Sequence, residues 1–163
     1  MRAASARPSR GCWTLRIIHS EKREQRMTEA RITPTVLLCG FRDPVRRKRI
    51  CDWLTRAGVR PKELAPTELH QPIGALLGLP GFSALPGPWL GSASEEEMLV
   101  MFALPGGVLD RFLRFFREEG LAPVALKAMT TPTNVSWSAL QLFEALREEH
   151  AQFQAMREKR EKV

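Results

Sequence analysis

Two short runs of apolar residues constrain the fold of this chain most strongly. One is Thr35–Cys39, Thr-Val-Leu-Leu-Cys, and the other is Met98–Phe102, Met-Leu-Val-Met-Phe. Neither run alternates between apolar and polar residues, which is typical of strands covered on both faces of a sheet. A chain of 163 residues has room for about one domain. We therefore expect one sheet with these two strands at its centre.

A helix should follow each of these strands. Asp43 and Pro44 supply an N-cap and a proline at the first helical position, and Gly58 is a typical end signal. A second helix is predicted between Gly107 and Gly120, because its apolar residues recur at helical spacing. The first two helices then cover one face of the sheet. The other face is left to a C-terminal helix or to the long loop that precedes Met98.

Two weaker strands complete the predicted sheet. Residues 64–67 contain Pro66, and residues 124–128 contain Lys127, so both segments suit the edges of a sheet. A last helix is predicted over residues 138–154. The resulting order matches the α+β, ferredoxin-like split βαβ arrangement (βαββαβ) with an added C-terminal helix.

The predicted domain spans residues 33–155. Residues 1–32 are interpreted as a disordered basic extension, and Met27 is the preferred start of translation, with a genuine basic arm as the alternative. Within the domain, residues 78–93 form a loop rich in proline and glycine, and residues 156–163 form a charged tail.

Most of the net charge of +7 lies outside the predicted domain. Residues 1–26 hold seven basic and two acidic side chains, whereas the rest of the chain holds 18 basic and 16 acidic ones. A nearly neutral domain gives little support to nucleic-acid binding. The basic run 46–49 is predicted to be helical, and four consecutive side chains spread around a helix rather than forming one face. Nucleic acid is therefore an unlikely partner.

The cysteines and the hydropathy indicate the class of protein. Cys12, Cys39 and Cys51 form no Cys-x-x-Cys pair, so neither a metal site nor a disulfide framework is predicted, and a cytoplasmic location is expected. No apolar run approaches the roughly 18 residues of a membrane-spanning helix. The sequence shows no recognisable set of catalytic residues and no cofactor motif, so we expect a protein that is not an enzyme and holds no cofactor.

Residues 126–150 carry the most distinctive motif. The segment resembles an uncharacterised domain family of bacteria and archaea, domain of unknown function 3783. That family is marked by Lys-Ala, then Thr-Pro-Thr-Asn, a tryptophan and a helix that ends in Glu-His. Here these positions are Lys127, Ala128, Thr131, Pro132, Thr133, Asn134, Trp137, Glu149 and His150. The resemblance implies no known activity.

The same segment predicts both a structural motif and a ligand site. Pro132 ends the strand, while Ser138 and Gln141 form a capping box that Trp137 precedes. The hydroxyl-rich turn lies between a strand end and a helix N-terminus, which suits a small anionic ligand. Its candidate ligand-binding residues are Lys127, Thr131, Thr133 and Asn134. The alternative is that these side chains only fix the turn and cap the helix.

Loop 78–93 provides the leading functional hypothesis. It carries four large apolar side chains, and exposed apolar patches commonly mark contact sites. The candidate interface residues are Phe82, Leu85, Trp89 and Leu90. We therefore expect a non-catalytic interaction or regulatory domain that binds a protein partner or forms a homodimer. The alternative is that Trp89 and its neighbours close over the sheet as part of the core.

Overall fold

The computed structural model describes residues 32–92 and 94–162. The predicted extension therefore lies almost entirely outside the described residues. The elements, in chain order, are β1 Thr35–Cys39, α1 Pro44–Arg56, β2 Arg60–Glu63, a 3-10 turn Pro66–Glu68, α2 Ile73–Leu76, β3 Met98–Phe102, α3 Val108–Glu118, β4 Leu126–Met129, a 3-10 turn Asn134–Ser136 and α4 Ala139–Glu161. The α+β class is confirmed.

The four strands form one mixed sheet in the order β2-β1-β3-β4. The parallel pairs are β1 with β2 and β3 with β4, whereas β1 and β3 are antiparallel. The prediction that the two apolar strands are central is confirmed. The ferredoxin-like strand order is not confirmed. In a split βαβ unit another strand lies between the two parallel strands, whereas here the parallel strands of each unit are direct neighbours.

The apolar pattern could not separate these two arrangements. Both place β1 and β3 at the centre and β2 and β4 at the edges, so both bury the same side chains. The prediction that β2 lies at residues 64–67 is also wrong. Leu64 and Pro66 follow the strand, and the Leu64 N–H donates to Leu38 O at 2.8 Å. The strand instead contains Pro61, which is tolerated because β2 is an edge strand.

Two apolar layers enclose the sheet. On one face α1 and α3 pack over Val36, Leu38, Leu99 and Met101. On the other face the side chains of Leu37, Met98, Val100 and Leu126 meet α2 and the start of α4, with Trp89 of the loop against them. Alternate residues of β1 and β3 therefore enter different layers, which explains why nearly all of their side chains are apolar. Both predicted covers of the second face, the helix and the loop, are present.

Helix α1 begins as predicted, because the Asp43 carboxylate accepts hydrogen bonds from the N–H groups of Val45 and Arg46. Its basic run is paired with acidic side chains. Arg46 makes a two-pronged contact with Glu97, with N–O distances of 2.8–3.1 Å. The other pairs are Arg47 with Glu63, Lys48 with Asp52 and Arg49 with Glu119. These acids offset the unfavourable position of cations at a helix N-terminus.

The last helix is longer than predicted. Helix α4 continues to Glu161, so most of the predicted tail 156–163 is helical. Its first residues pack on the sheet, but every residue from 151 to 162 is exposed. None of the helices within residues 32–92 and 94–162 is both long and apolar enough to cross a membrane.

Candidate functional site

The predicted capping box at the start of α4 is present. The Ser138 hydroxyl accepts a hydrogen bond from the Gln141 N–H at 3.1 Å, and the Gln141 side chain accepts one from the Ser138 N–H at 2.9 Å. Helix α4 begins directly afterwards, at Ala139. Trp137, immediately before the cap, is 36% exposed. The side chains of Ser138 and Gln141 therefore make the hydrogen bonds of a capping box.

Asn134 holds the end of strand β4. Its amide nitrogen donates to Met129 O at 3.0 Å, and its amide oxygen accepts from the Thr131 N–H at 2.8 Å. The Asn134 N–H in turn donates to the Thr131 hydroxyl at 3.1 Å. Both polar ends of the asparagine side chain are therefore occupied by the chain itself.

These contacts continue the hydrogen-bond pattern of the sheet. The Thr130 N–H donates to Met101 O of β3, so the neighbouring Met129 C=O and Thr131 N–H point to the open side of β4. The Asn134 amide meets both groups as a residue of an adjacent strand would. It covers part of an edge that would otherwise be open to pairing with another chain. This geometry favours the interpretation that the turn fixes structure.

Replacing Asn134 by alanine should therefore lower the free energy of unfolding by about 1–2 kcal/mol, because both hydrogen bonds of a half-buried side chain are lost. Urea unfolding followed by circular dichroism would measure the change. The matched control is Ser136→Ala, which removes one exposed hydrogen bond to Thr133 O and should cost less than about 0.5 kcal/mol. Equal losses in the two variants would contradict the edge-capping role.

All four predicted ligand-binding residues line one cavity. This cavity of about 370 Å³ lies beside β4 and α4 and is lined by Lys127, Thr131, Thr133, Asn134, Trp137 and Glu149, among others. A second cavity of about 190 Å³, lined by residues 125–127 and by Leu146, Glu149, His150 and Phe153, shares Lys127, Leu146 and Glu149 with the first. We call the two together the β4–α4 groove.

The charges in the β4–α4 groove are balanced, with Lys127 and Glu149 both in its lining. Lys127 Nζ donates to Val124 O at 2.5 Å, so the predicted cation is already bonded within the chain. The Glu149 side chain lines both cavities and would repel an anion there. Binding of a small anionic ligand at this turn stays a prediction that the geometry does not strengthen.

The predicted interface in loop 78–93 divides into half-buried and exposed parts. Phe82 packs against Gly74, where a β-carbon would collide with the phenyl ring. The backbone N–H of Trp89 donates to Thr67 O at 2.8 Å, and its indole ring packs against the core layer on that face. Leu85 and Leu90 remain 48% and 88% exposed. Half of the predicted interface therefore serves to close the second layer.

Gln71 fixes the middle of this loop. Its side-chain nitrogen donates to Leu85 O at 2.8 Å, and its side-chain oxygen accepts from the Leu85 N–H at 2.6 Å. The two bonds hold the loop backbone against the segment before α2. The exposed Leu85 side chain is consequently presented from an anchored backbone.

The exposed end of α4 carries apolar residues that the sequence only partly predicts. Phe153 and Met156 are each 61% exposed. They continue the stripe of Leu142 and Leu146, which contact the second core layer. Helical spacing predicts Phe153 on this face, but Met156 falls in the predicted tail. The spacing of three between these two residues is the signal that extends the stripe.

A crevice that was not apparent from the sequence opens where β1 and β2 end. It has a volume of about 270 Å³. Its apolar lining includes Leu38, Cys39, Leu64, Leu69, Leu140 and Phe143, and its polar lining includes Arg42, Arg47, Glu63 and Ser94. Only the direct parallel pairing of β1 with β2 brings these residues together, so a split arrangement of strands could not have revealed the crevice.

The cysteines of the described residues are not activated. Burial raises the pKa of Cys39 to about 11, so its thiol stays protonated at neutral pH. The pKa of Cys51 is also raised, first by partial burial and then by the nearby Glu63 carboxylate. Within residues 32–92 and 94–162, no group of three or more histidine, cysteine or acidic side chains could hold a metal ion.

Comparison with known proteins finds a similarity in the C-terminal part of the domain. Residues 97–153 match a family described as "Domain of unknown function (DUF3783)". The match covers 57 of the 163 residues and confirms the resemblance inferred from residues 126–150. It includes β3, α3, β4 and the packed part of α4. No curated protein and no solved structure matches the chain significantly.

Proposed function

We propose that this chain is a non-catalytic interaction domain that pairs with a second copy of itself through α4 and the adjoining β4–α4 groove. The observation that carries the proposal is the apolar stripe of α4, which continues past the sheet to a part that no other described segment covers. Phe153 and Met156 are each 61% exposed on a segment whose every residue from 151 to 162 is exposed. An uncovered helix end of this kind gains little stability from its own backbone hydrogen bonds.

The spacing of the stripe suits helix pairing. Leu142, Leu146, Glu149, Phe153 and Met156 follow one another at steps of three or four residues and lie on one face of α4. The first two contact the core layer of their own domain, and the last two are exposed and can contact another helix. The stripe therefore changes from an internal contact to an external one along a single helix.

One pair of charges beside the stripe is complementary in a second, antiparallel copy. Glu149 precedes Phe153 by four residues, and Arg157 follows it by four. In a two-fold pair centred on Phe153, Glu149 of one copy lies beside Arg157 of the other, and the same contact occurs twice. Such an interface is self-complementary, whereas a parallel pair would place like charges together.

The β4–α4 groove adjoins the surface on which the two helices would pair. Phe153, Leu146 and Glu149 line the smaller cavity beside residues 125–127. The symmetric register brings the end of the second α4 over this cavity, where Met156 of the second copy can cover apolar surface. Apolar burial supplies the stability of the pair, and the charges set its direction.

Self-association can be measured on the full chain by sedimentation or native mass spectrometry at concentrations up to about 100 μM. We expect a dimer for the wild-type chain and a monomer for Phe153→Glu, because a carboxylate at the two-fold axis would face its own copy. Since Phe153 is exposed, the circular dichroism spectrum of the variant should stay native.

The matched control is Leu90→Glu, which introduces the same charge at an 88% exposed leucine of loop 78–93. This variant should remain dimeric. A charge exchange tests the register: Glu149→Arg and Arg157→Glu should each weaken the dimer, and the double variant should restore it. A monomeric wild-type chain, or a dimer that Leu90→Glu dissociates and Phe153→Glu does not, would overturn the proposal.

The thiols support the cytoplasmic location predicted from the sequence. Cys39 and Cys51 are free cysteines. Free cysteines of this kind suit a reducing compartment. We therefore keep the cytoplasm as the proposed location of the domain.

A further inference from the structure

The crevice at the carboxyl ends of β1 and β2 has the position and shape of a small-molecule site. Cys39 ends β1 and Glu63 ends β2, and both line the crevice. Because these strands are parallel neighbours, the chain leaves the sheet at the same edge twice and opens a space between the two exits. Ligands of open sheets with parallel strands bind in this kind of crevice.

The body of the crevice is apolar. Leu64, Leu69 and Phe143 line it and are each at most 8% exposed. Leu140 of α4 closes the same space from the helix side. Its volume of about 270 Å³ lies just below the range for drug-sized ligands, which is about 300–1,000 Å³. These dimensions suit a short hydrocarbon chain.

A guanidinium lies at the polar side of this space. Arg47 donates through Nη1 to Phe41 O at 2.9 Å, and its Nε lies 3.2 Å from a Glu63 carboxylate oxygen. The guanidinium has five N–H donors. Among residues 32–92 and 94–162, the hydrogen bond of this guanidinium to a protein atom involves Nη1 and not Nη2. Arg47 is only 34% exposed, so a charged partner for these donors would be partly shielded from water.

The other charged groups around the crevice leave Arg47 as the anchor for an anion. Arg42 is paired with Glu95 at 2.7 Å, and both side chains are mostly exposed. The start of α1 is occupied by the Asp43 carboxylate, which accepts two backbone hydrogen bonds. An anion in the crevice therefore meets Arg47. It competes with the Glu63 carboxylate for the guanidinium.

We infer that this crevice binds a small carboxylate with an apolar body, its hydrocarbon part among Leu64, Leu69, Leu140 and Phe143 and its carboxylate on Arg47. A carboxylate matches the planar fork of a guanidinium better than a spherical anion does. The site is separate from the exposed end of α4, so it does not depend on self-association.

The test uses hexanoate as the probe, with hexanol and hexylammonium as neutral and cationic controls of the same chain length. Methyl resonances of the full chain in two-dimensional NMR report binding, and Leu64 and Leu140 should shift. We expect hexanoate to bind at least about tenfold more tightly than either control, because a charge-assisted hydrogen bond is lost with the carboxylate.

Three variants locate the carboxylate. Arg47→Gln should weaken hexanoate binding at least about tenfold. Lys48→Gln removes the same charge from the next position of α1, where Lys48 contacts Asp52, and should leave binding unchanged. Glu63→Gln removes the competing carboxylate and should tighten binding. The opposite effects of Arg47→Gln and Glu63→Gln cannot both result from a loss of stability.

Several outcomes would overturn the inference. These are an absence of shifts with hexanoate, equal affinities for hexanoate and hexanol, and equal losses in Arg47→Gln and Lys48→Gln. Repeating the titration with Phe153→Glu separates this inference from the proposed dimer. Hexanoate should bind that variant as it binds the wild-type chain, whatever the oligomeric state.

Discussion

Replacing Phe112 by alanine should lower the free energy of unfolding by about 3–5 kcal/mol, as expected for a phenylalanine removed from a packed core. Phe112 of α3 is fully buried. Its ring lies 5.3 Å from the centroids of both Trp53 and Phe116, and 6.4 Å from that of Phe115. The four rings join α1 to α3, so the cavity would open between the two helices that cover one face of the sheet.

The neighbouring Leu113→Ala variant is the control. Leu113 is 38% exposed on the same helix, and its truncation should cost less than about 1 kcal/mol. Urea unfolding of both variants, followed by tryptophan fluorescence, measures the difference because Trp53 belongs to the ring cluster. Similar losses for the two residues would mean that the ring cluster contributes little to stability.

Gly40→Ala is expected to be the other strongly destabilising change, with a loss of roughly 3 kcal/mol or more. Gly40 has a φ of +77°, which is unfavourable for any residue with a β-carbon. A β-carbon at this position would also collide with the backbone carbonyl of Glu96. The chain leaving β1 and the chain approaching β3 therefore touch at a point where only hydrogen fits.

Gly58→Ala separates these two causes. Gly58 has the same φ of +77°, but a β-carbon added there would meet no described atom within 4 Å. We expect Gly58→Ala to cost only about 1–2 kcal/mol, the conformational part alone. Thermal unfolding of the two variants gives the contribution of the close approach at Gly40. Equal destabilisation would show that the contact with Glu96 relaxes without cost.

The proposed crevice depends on the same close approach. Gly40 lines the crevice beside Arg42, and the segment that it touches leads into β3. A Gly40→Ala chain that still folds should consequently bind hexanoate less well, since the wall of the crevice must move. Stability and ligand binding are thus coupled at one residue.

Local signals in the sequence were strong enough to specify the local structure. Asp43 begins α1, and Ser138 with Gln141 begins α4, because these bonds form between residues two or three positions apart. The apolar runs identified β1 and β3 as the central strands, because burial on both faces favours apolar side chains at almost every position. The buried polar residue of β1 is Thr35, whose hydroxyl donates to Thr33 O. The apolar runs and the capping residues can therefore each be recognised within a few consecutive residues.

Other features required partners that are distant in sequence. In the basic run of α1, Lys48 pairs with Asp52 at helical spacing, whereas Arg46 is bonded to Glu97 and Arg49 to Glu119, which lie far along the chain. The sequence leaves Trp89 as either exposed or core, and its backbone bond to Thr67 shows that the loop folds back. No periodic pattern contains such pairings.

Sequence patterns sufficed for the α+β class, the two central strands, the helix caps and the resemblance of residues 126–150. Which edge strand pairs with which central strand emerged only from the folded chain, because both orders bury the same apolar side chains. That pairing opens the crevice between β1 and β2. It also leaves β4 at an edge, where Asn134 covers its backbone and α4 continues past the sheet with an exposed apolar stripe.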